Sequence, residues 1–259
     1  IPLFFKEKVG FTTSNCFNLL YNLFRFLDNT TRDASLIALL HSEIFDYSND
    51  ELLNLSLNNG KTLFEKLALS NSVKSKNTVN LLNKWLDFSL NNSLSDILER
   101  IVSDIDFVNY LVTIDINDDE VDYYENFIDL VQEYQNTDNK LSSFVAYLKN
   151  IKEDEFLAFA AAAEEMSSHP LAVAILNEVK NRGIQIPEHK DTEIKVSRGI
   201  ETLVNNDVIR VGSKKYMQEN EIYTDNASDV IKGILNRGEI LICVAKNKDL
   251  IGVIGVSDP

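Results

Sequence analysis

Cysteine is nearly absent: Cys16 and Cys243 are the only two among 259 residues, and they fall in unrelated segments. That argues against a disulfide scaffold and a cysteine-based metal site, and for the reduced thiols of a cytosolic chain. Long apolar runs are missing too. A membrane span needs about 18–20 consecutive apolar residues. The most apolar stretch, Phe156 to Ala163, is short, alanine-rich and preceded by Lys152, Glu153, Asp154 and Glu155. The opening Ile1-Pro2-Leu3-Phe4-Phe5 has no preceding basic region and no initiator methionine. No secretory signal is expected there, and Ile1 is expected to lie inside a longer parent sequence. Positive charge is scarce, with 25 basic against 40 acidic residues for a formal charge of −15. Both halves share the acidic excess, so autonomous binding to DNA phosphates is disfavoured, because that relies on clustered Lys and Arg.

What is present suits a soluble globular chain of one large or two ordinary domains, with 44% hydrophobic and 25% charged residues. The grammar changes near residue 150. The first half, 1–150, is asparagine-rich and reads as helix after a short strand at Ile1 to Phe5. Apolar residues recur at helical spacing over Asn15 to Leu27 with Ser14 as cap, and shorter helices are expected at Leu36 to Leu40, Glu51 to Leu57 and Leu63 to Leu69. Helices follow at Val79 to Phe88, at Leu94 to Ile105 capped by Ser93, at Tyr123 to Tyr134 and at Leu141 to Leu148. The acidic stretch Tyr110 to Asp122 is expected to loop.

The second half, 151–259, reads as two helices, Glu155 to Met166 and Leu171 to Arg182, then short Ile- and Val-rich strands. The strands are Glu193 to Val196, Glu201 to Val204, Val208 to Val211, Ile240 to Ala245 and Leu250 to Val256. Asn205-Asn206-Asp207 and Asn247-Lys248-Asp249 mark hairpin turns, and a helix from Ala227 to Asn236 ends at Gly238. The fold class expected is therefore an all-helical half followed by an antiparallel sheet with flanking helices, α plus α+β.

Chemistry-bearing residues are few. No Gly-x-x-x-x-Gly-Lys-Ser/Thr phosphate loop occurs. His41 sits on a short apolar helix, where packing is the favoured role. Asp115, Asp118, Asp119 and Glu120 lack the spacing of a calcium loop and read as a solvated acidic loop. Trp85, Tyr123 and Tyr124 read as core aromatics rather than base-stacking ones. The informative run is Glu164-Glu165-Met166-Ser167-Ser168-His169-Pro170-Leu171-Ala172, a carboxylate five residues before a His-Pro pair, with Pro170 suited to open a helix. Ser197-Arg198-Gly199-Ile200, Val211-Gly212-Ser213 and a closing Gly252-Val253-Ile254-Gly255-Val256-Ser257-Asp258-Pro259 follow in order.

In that order and spacing, residues 154–259 resemble the nucleotide-binding domain of heavy-metal P-type ATPases. The resemblance implies ATP, as Mg-ATP, as ligand, with Glu164 accepting from the adenine amino group and His169 against the nucleotide. Pro170, Gly199 and Gly212 complete the implied site. Ser197 stands where the family has the first glycine of its turn, and Ser168 where an acid is often found. Helix capping remains open as the role of His169, and a plain turn position as that of Gly199 and Gly212. The family's phosphorylated Asp-Lys-Thr-Gly-Thr motif is not in this sequence. The implied partners are the nucleotide and the pump domains this chain lacks, in the cytoplasm.

Ile1-Pro2, the helix Asn15 to Leu27, Asp28-Asn29-Thr30, the run Ala38 to Phe45, and Trp85 form a second pattern. It is similar to the 2B accessory region of UvrD-like helicases of the AddA helicase–nuclease type and spans about 1–150. The combination then reads as a chimera or fusion. The alternative function is a DNA-processing or protein-interaction accessory domain, with the second half only structural.

Overall fold

The structure, a computed structural model, describes residues 10–114, 119–195 and 198–257. The expected strand at Ile1 to Phe5, together with Asp115, Asp118, Ser197 and Asp258, lies outside the described residues. The chain divides into two compact units, Ile1–Lys149 and Asn150–Pro259.

The first unit is helical: α1 Asn15–Asp28, α2 Asp33–His41, α3 Asn49–Ser56, α4 Leu63–Ala68, α5 Val73–Ser89, α6 Leu94–Asp104, α7 Phe107–Ile114, α8 Asp119–Gln135 and the start of α9, Leu141–Glu164. Serine caps open several of these helices. Ser14, Ser48, Ser72 and Ser93 each accept a main-chain N–H three residues on, which satisfies a donor the first turn leaves orphaned. α1 is apolar around most of its circumference, as a helix inside a bundle must be. Phe24 of α1 meets Phe127 of α8 at 6.0 Å and Phe144 of α9 at 5.2 Å between ring centres, so three helices share one aromatic core.

Two expectations are corrected here. Tyr110 to Ile114 is helical, not looped, because Phe107 and Leu111 are fully buried and pin α7 to the bundle. The two helices expected at Leu141 to Leu148 and Glu155 to Met166 are one helix, α9. No glycine or proline lies between residues 141 and 164, and the charged run 149–155 consists mostly of good helix formers.

The second unit continues with α10 Pro170–Arg182, β1 His189–Lys195, β2 Gly199–Val204, β3 Asp207–Gly212, α11 Lys214–Glu219, α12 Ser228–Asn236, β4 Ile240–Lys246 and β5 Asp249–Val256. The strands form one antiparallel sheet in the order β1-β2-β3-β4-β5. Asn205 and Asn206, at φ 56° and 100°, make the β2–β3 turn; both central residues of this tight hairpin take the left-handed region that Asn tolerates. Ile200, Thr202 and Val204 of β2 are buried on one face. On the other, Tyr216 and Met217 of α11 pack with Cys243 and Ala245 of β4. The fold is thus helical segments plus a five-stranded antiparallel sheet with flanking helices.

Candidate functional site

The junction between α9 and α10 is built by short-range hydrogen bonding. α9 ends at Glu164, whose carbonyl accepts the Ser167 N–H at 2.9 Å. His169 is the N-cap of α10: its backbone is extended and its Nδ1 accepts the Leu171 N–H at 3.3 Å. Pro170 takes the first helical position, where its missing N–H costs nothing. With Nδ1 accepting, the neutral ring carries its proton on Nε2, so exposed His169 has a donor to offer. The Glu164 side chain is half-buried. Burial raises its carboxyl above the usual range, while a Ser167 hydrogen bond and nearby His169 oppose the shift. Next to it, Glu165 contacts His189 Nε2 of β1 at 3.2 Å, and His189 Nδ1 meets the Pro187 carbonyl at 3.0 Å.

Gly199 and Gly212 face each other as ladder partners in β2 and β3. Neither has positive φ, so turn geometry is not what selects glycine here. Space is the reason. A Cβ on Gly199 would strike the Tyr216 ring and lie 2.5 Å from the Val211 carbonyl oxygen, and one on Gly212 would lie 2.6 Å from the Arg198 carbonyl oxygen. The Tyr216 ring therefore lies against both glycines, held by α11, whose cap Ser213 accepts the Tyr216 N–H at 3.2 Å. Neither α11 nor Tyr216 stands out in the sequence reading; Ser213 ahead of Lys214-Lys215-Tyr216-Met217 was the available signal. Cross-strand Arg210 and Glu201 pair at 2.7 Å two ladder steps from Gly212 and Gly199, on the same face of the sheet.

The structure thus brings together Glu164, His169 and Pro170 on one helix junction, and Gly199 and Gly212 on one strand pair. The first group's partners are Ser167 and Leu171; the second's are on β2, β3 and α11.

In the first unit, His41 meets the Tyr47 carbonyl through Nδ1 at 3.1 Å, and the Tyr47 hydroxyl donates to Thr78 at 3.0 Å, a packing arrangement. Trp85 is buried, its indole N–H donating to Asp104 at 2.9 Å. Tyr124 packs edge-on against buried Phe107. Glu120 is not part of a solvated loop: it is buried in α8, and its carboxylate accepts the Asn15 and Cys16 N–H groups at 2.9 and 2.7 Å. Among the described residues, no group of three or more His, Cys, Asp and Glu is placed to hold a metal ion.

No protein-family profile matches this chain. The copper-exporting P-type ATPase B of Archaeoglobus fulgidus is 34% identical over 109 residues, which is 42% of this chain and 15% of that protein. The matched stretch is about as long as the second unit. The second unit resembles the nucleotide-binding domain of heavy-metal P-type ATPases. A zinc-exporting P-type ATPase of Mycobacterium marinum is 27% identical over 119 residues, 46% of this chain and 16% of its own length. The crystal structure of the N-domain of a copper-transporting P-type ATPase is 26% identical, covering 40% of this chain and 90% of that one at a TM-score of 0.36. The chain spans about one sixth of the length of the curated relatives it matches. The helicase resemblance of residues 1–150, and with it the reading as a chimera, gains no support from these relatives. No helix among the described residues is long and apolar enough to cross a membrane.

Proposed function

We propose that the N-domain-like unit binds ATP, as Mg-ATP, and is the nucleotide-docking part of a heavy-metal-transporting pump whose other domains would lie in the cytoplasm and membrane beside it. The observation that carries this reading is the α9–α10 junction. It sets a half-buried carboxyl, raised by burial, one short turn ahead of an exposed histidine whose Nδ1 is already engaged and whose Nε2 carries the donor. A half-desolvated acceptor beside an oriented donor is what recognition of a purine edge and its sugar needs. Glu164 accepts from the adenine amino group, His169 donates toward the nucleotide, and Pro170 fixes where α10 starts. Gly199 and Gly212 complete the proposed site, with the Tyr216 ring, not the nucleotide, in the space their side chains would take. The relatives named above export copper and zinc; this unit supplies the nucleotide end of such transport and not the ion path.

Calorimetric titration of the full chain with Mg-ATP tests the assignment. Glu164→Ala and His169→Ala should each weaken binding several-fold, as expected for loss of a hydrogen bond of about 0.5–1.5 kcal/mol, with the circular dichroism spectrum unchanged. Affinity equal to wild type in both variants would remove the nucleotide from this junction and leave His169 a helix cap.

A further inference from the structure

Among the described residues, the first unit holds a groove of about 620 Å³ between α1, α2 and α7. Small ligands bind in cavities of about 300–1,000 Å³. Its two long walls are helix faces. Asn15, Asn18, Leu19 and Asn22 of α1 line one, and Ala34, Ile37, Ala38 and His41 of α2 line the other, both at the spacing that puts side chains on one side of a helix. Only residues 29–32 join α1 to α2, so Ala34 falls at the Asn22 end of the groove. His41, Ser42 and Glu43 fall at the Asn15 end, where α7 adds Tyr110. Between the ends the wall is apolar, made by Leu19, Ile37 and Ala38.

The polar groups at the ends share one character. The Ser42 hydroxyl already donates to the Leu39 carbonyl at 2.6 Å, and Asn22 Nδ2 donates to the Asn18 carbonyl at 2.8 Å. His41 Nδ1 meets the Tyr47 carbonyl at 3.1 Å and, a carbonyl being only an acceptor, carries the proton of the neutral ring there. What these three leave toward a ligand is mainly acceptor capacity: Ser42 Oγ, Asn22 Oδ1 and His41 Nε2. Glu43 adds a carboxylate with no ion-pair partner among the described residues, and no Lys or Arg lines the groove. The Tyr110 phenol senses the same field. Burial first, then the Glu43 and Glu120 carboxylates, hold it above the usual tyrosine range. Its ring is fixed by stacking on buried Phe107, 6.0 Å between centres.

We propose that this groove binds a linear aliphatic diamine, with one ammonium at Glu43 and Ser42, the methylene chain along Leu19, Ile37 and Ala38, and the second nitrogen at Asn22. An ammonium brings three donors and no acceptor, the complement of this lining. An anionic ligand would meet Glu43 with no cation to offset it. A ligand without charge would leave the Glu43 end unused. Length selects too: from Asn15 to Asn22 the helix rises about 10 Å, beyond the reach of a short diamine.

Calorimetric titration of the full chain, without nucleotide, with octamethylenediamine and with trimethylenediamine tests this. Salt of about 0.1 M screens the loose attraction of any dication to a chain of charge −15. We expect one octamethylenediamine bound per chain and trimethylenediamine bound several-fold more weakly. Glu43→Gln and Asn22→Ala should each weaken octamethylenediamine several-fold, with the circular dichroism spectrum unchanged. No saturable binding, equal affinity for the two diamines, or wild-type affinity in either variant would overturn the proposal. Should a variant misfold, the comparison of the two diamines on the wild-type chain decides alone.

Discussion

A carboxyl that burial drives toward its neutral form costs the fold stability once it is ionised. Glu164 is such a group, its pKa raised by desolvation against the opposing effects of Ser167 and His169. Because its folded value lies above its unfolded one, its stabilising contribution is complete below the ordinary glutamate range and is lost as pH rises through the folded value. Glu164→Gln, neutral throughout, should match wild type at about pH 4 and unfold at a higher temperature than wild type at about pH 7. The same variant should bind ATP several-fold more weakly, having lost the charged acceptor. Thermal scans at the two pH values, paired with a titration, check both arms, and a variant less stable at neutral pH would show that the charge is favourably placed in the fold. Gly199 has a different constraint. Alanine there would drive a methyl into the Tyr216 ring and the Val211 carbonyl, and overpacking of that kind costs about 1–3 kcal/mol. A urea midpoint equal to wild type for Gly199→Ala would mean that Tyr216 gives way freely.

Single elements show where sequence reasoning reaches and where it stops. The Ser14 and Ser93 caps, the Asn205-Asn206 hairpin and the Glu164–Pro170 junction were legible because each is encoded within about six neighbouring residues. The end of α7 and the continuity of α9 were not, since acidic composition suggested a loop at one and the change of grammar near residue 150 a break at the other, while burial and the lack of any helix breaker decided otherwise. Contacts distant in sequence were the least legible. The Tyr216 ring beneath Gly199 and Gly212 leaves no periodic trace, and neither does the Glu120 carboxylate that caps α1 from more than a hundred residues away. That cap makes a prediction at this scale. Glu120→Ala leaves the Cys16 N–H buried without an acceptor, which costs about 1–3 kcal/mol. Glu120→Gln, which keeps an acceptor oxygen, should cost less. Denaturant unfolding and amide exchange at Cys16 measure both, and equal losses for the two variants would show that charge, not the hydrogen bond, is what α1 needs.

For the molecule as a whole, the sequence holds neither the Asp-Lys-Thr-Gly-Thr motif nor a phosphate loop, so the chain should bind ATP with no appreciable turnover. Phosphate release above background, abolished by a point change in this chain, would refute that. The two units also differ in a way that makes each separately visible. The only tryptophan is Trp85, buried in the first unit with its indole N–H on Asp104. The second unit has tyrosines but no indole. Fluorescence excited at the red edge of aromatic absorption therefore reports the melting of the helical unit alone, while far-ultraviolet dichroism reports the backbone of both. Any temperature interval in which dichroism falls while indole emission stays constant is then unfolding of the sheet-bearing unit, and adding ATP should move that interval upward without moving the emission curve.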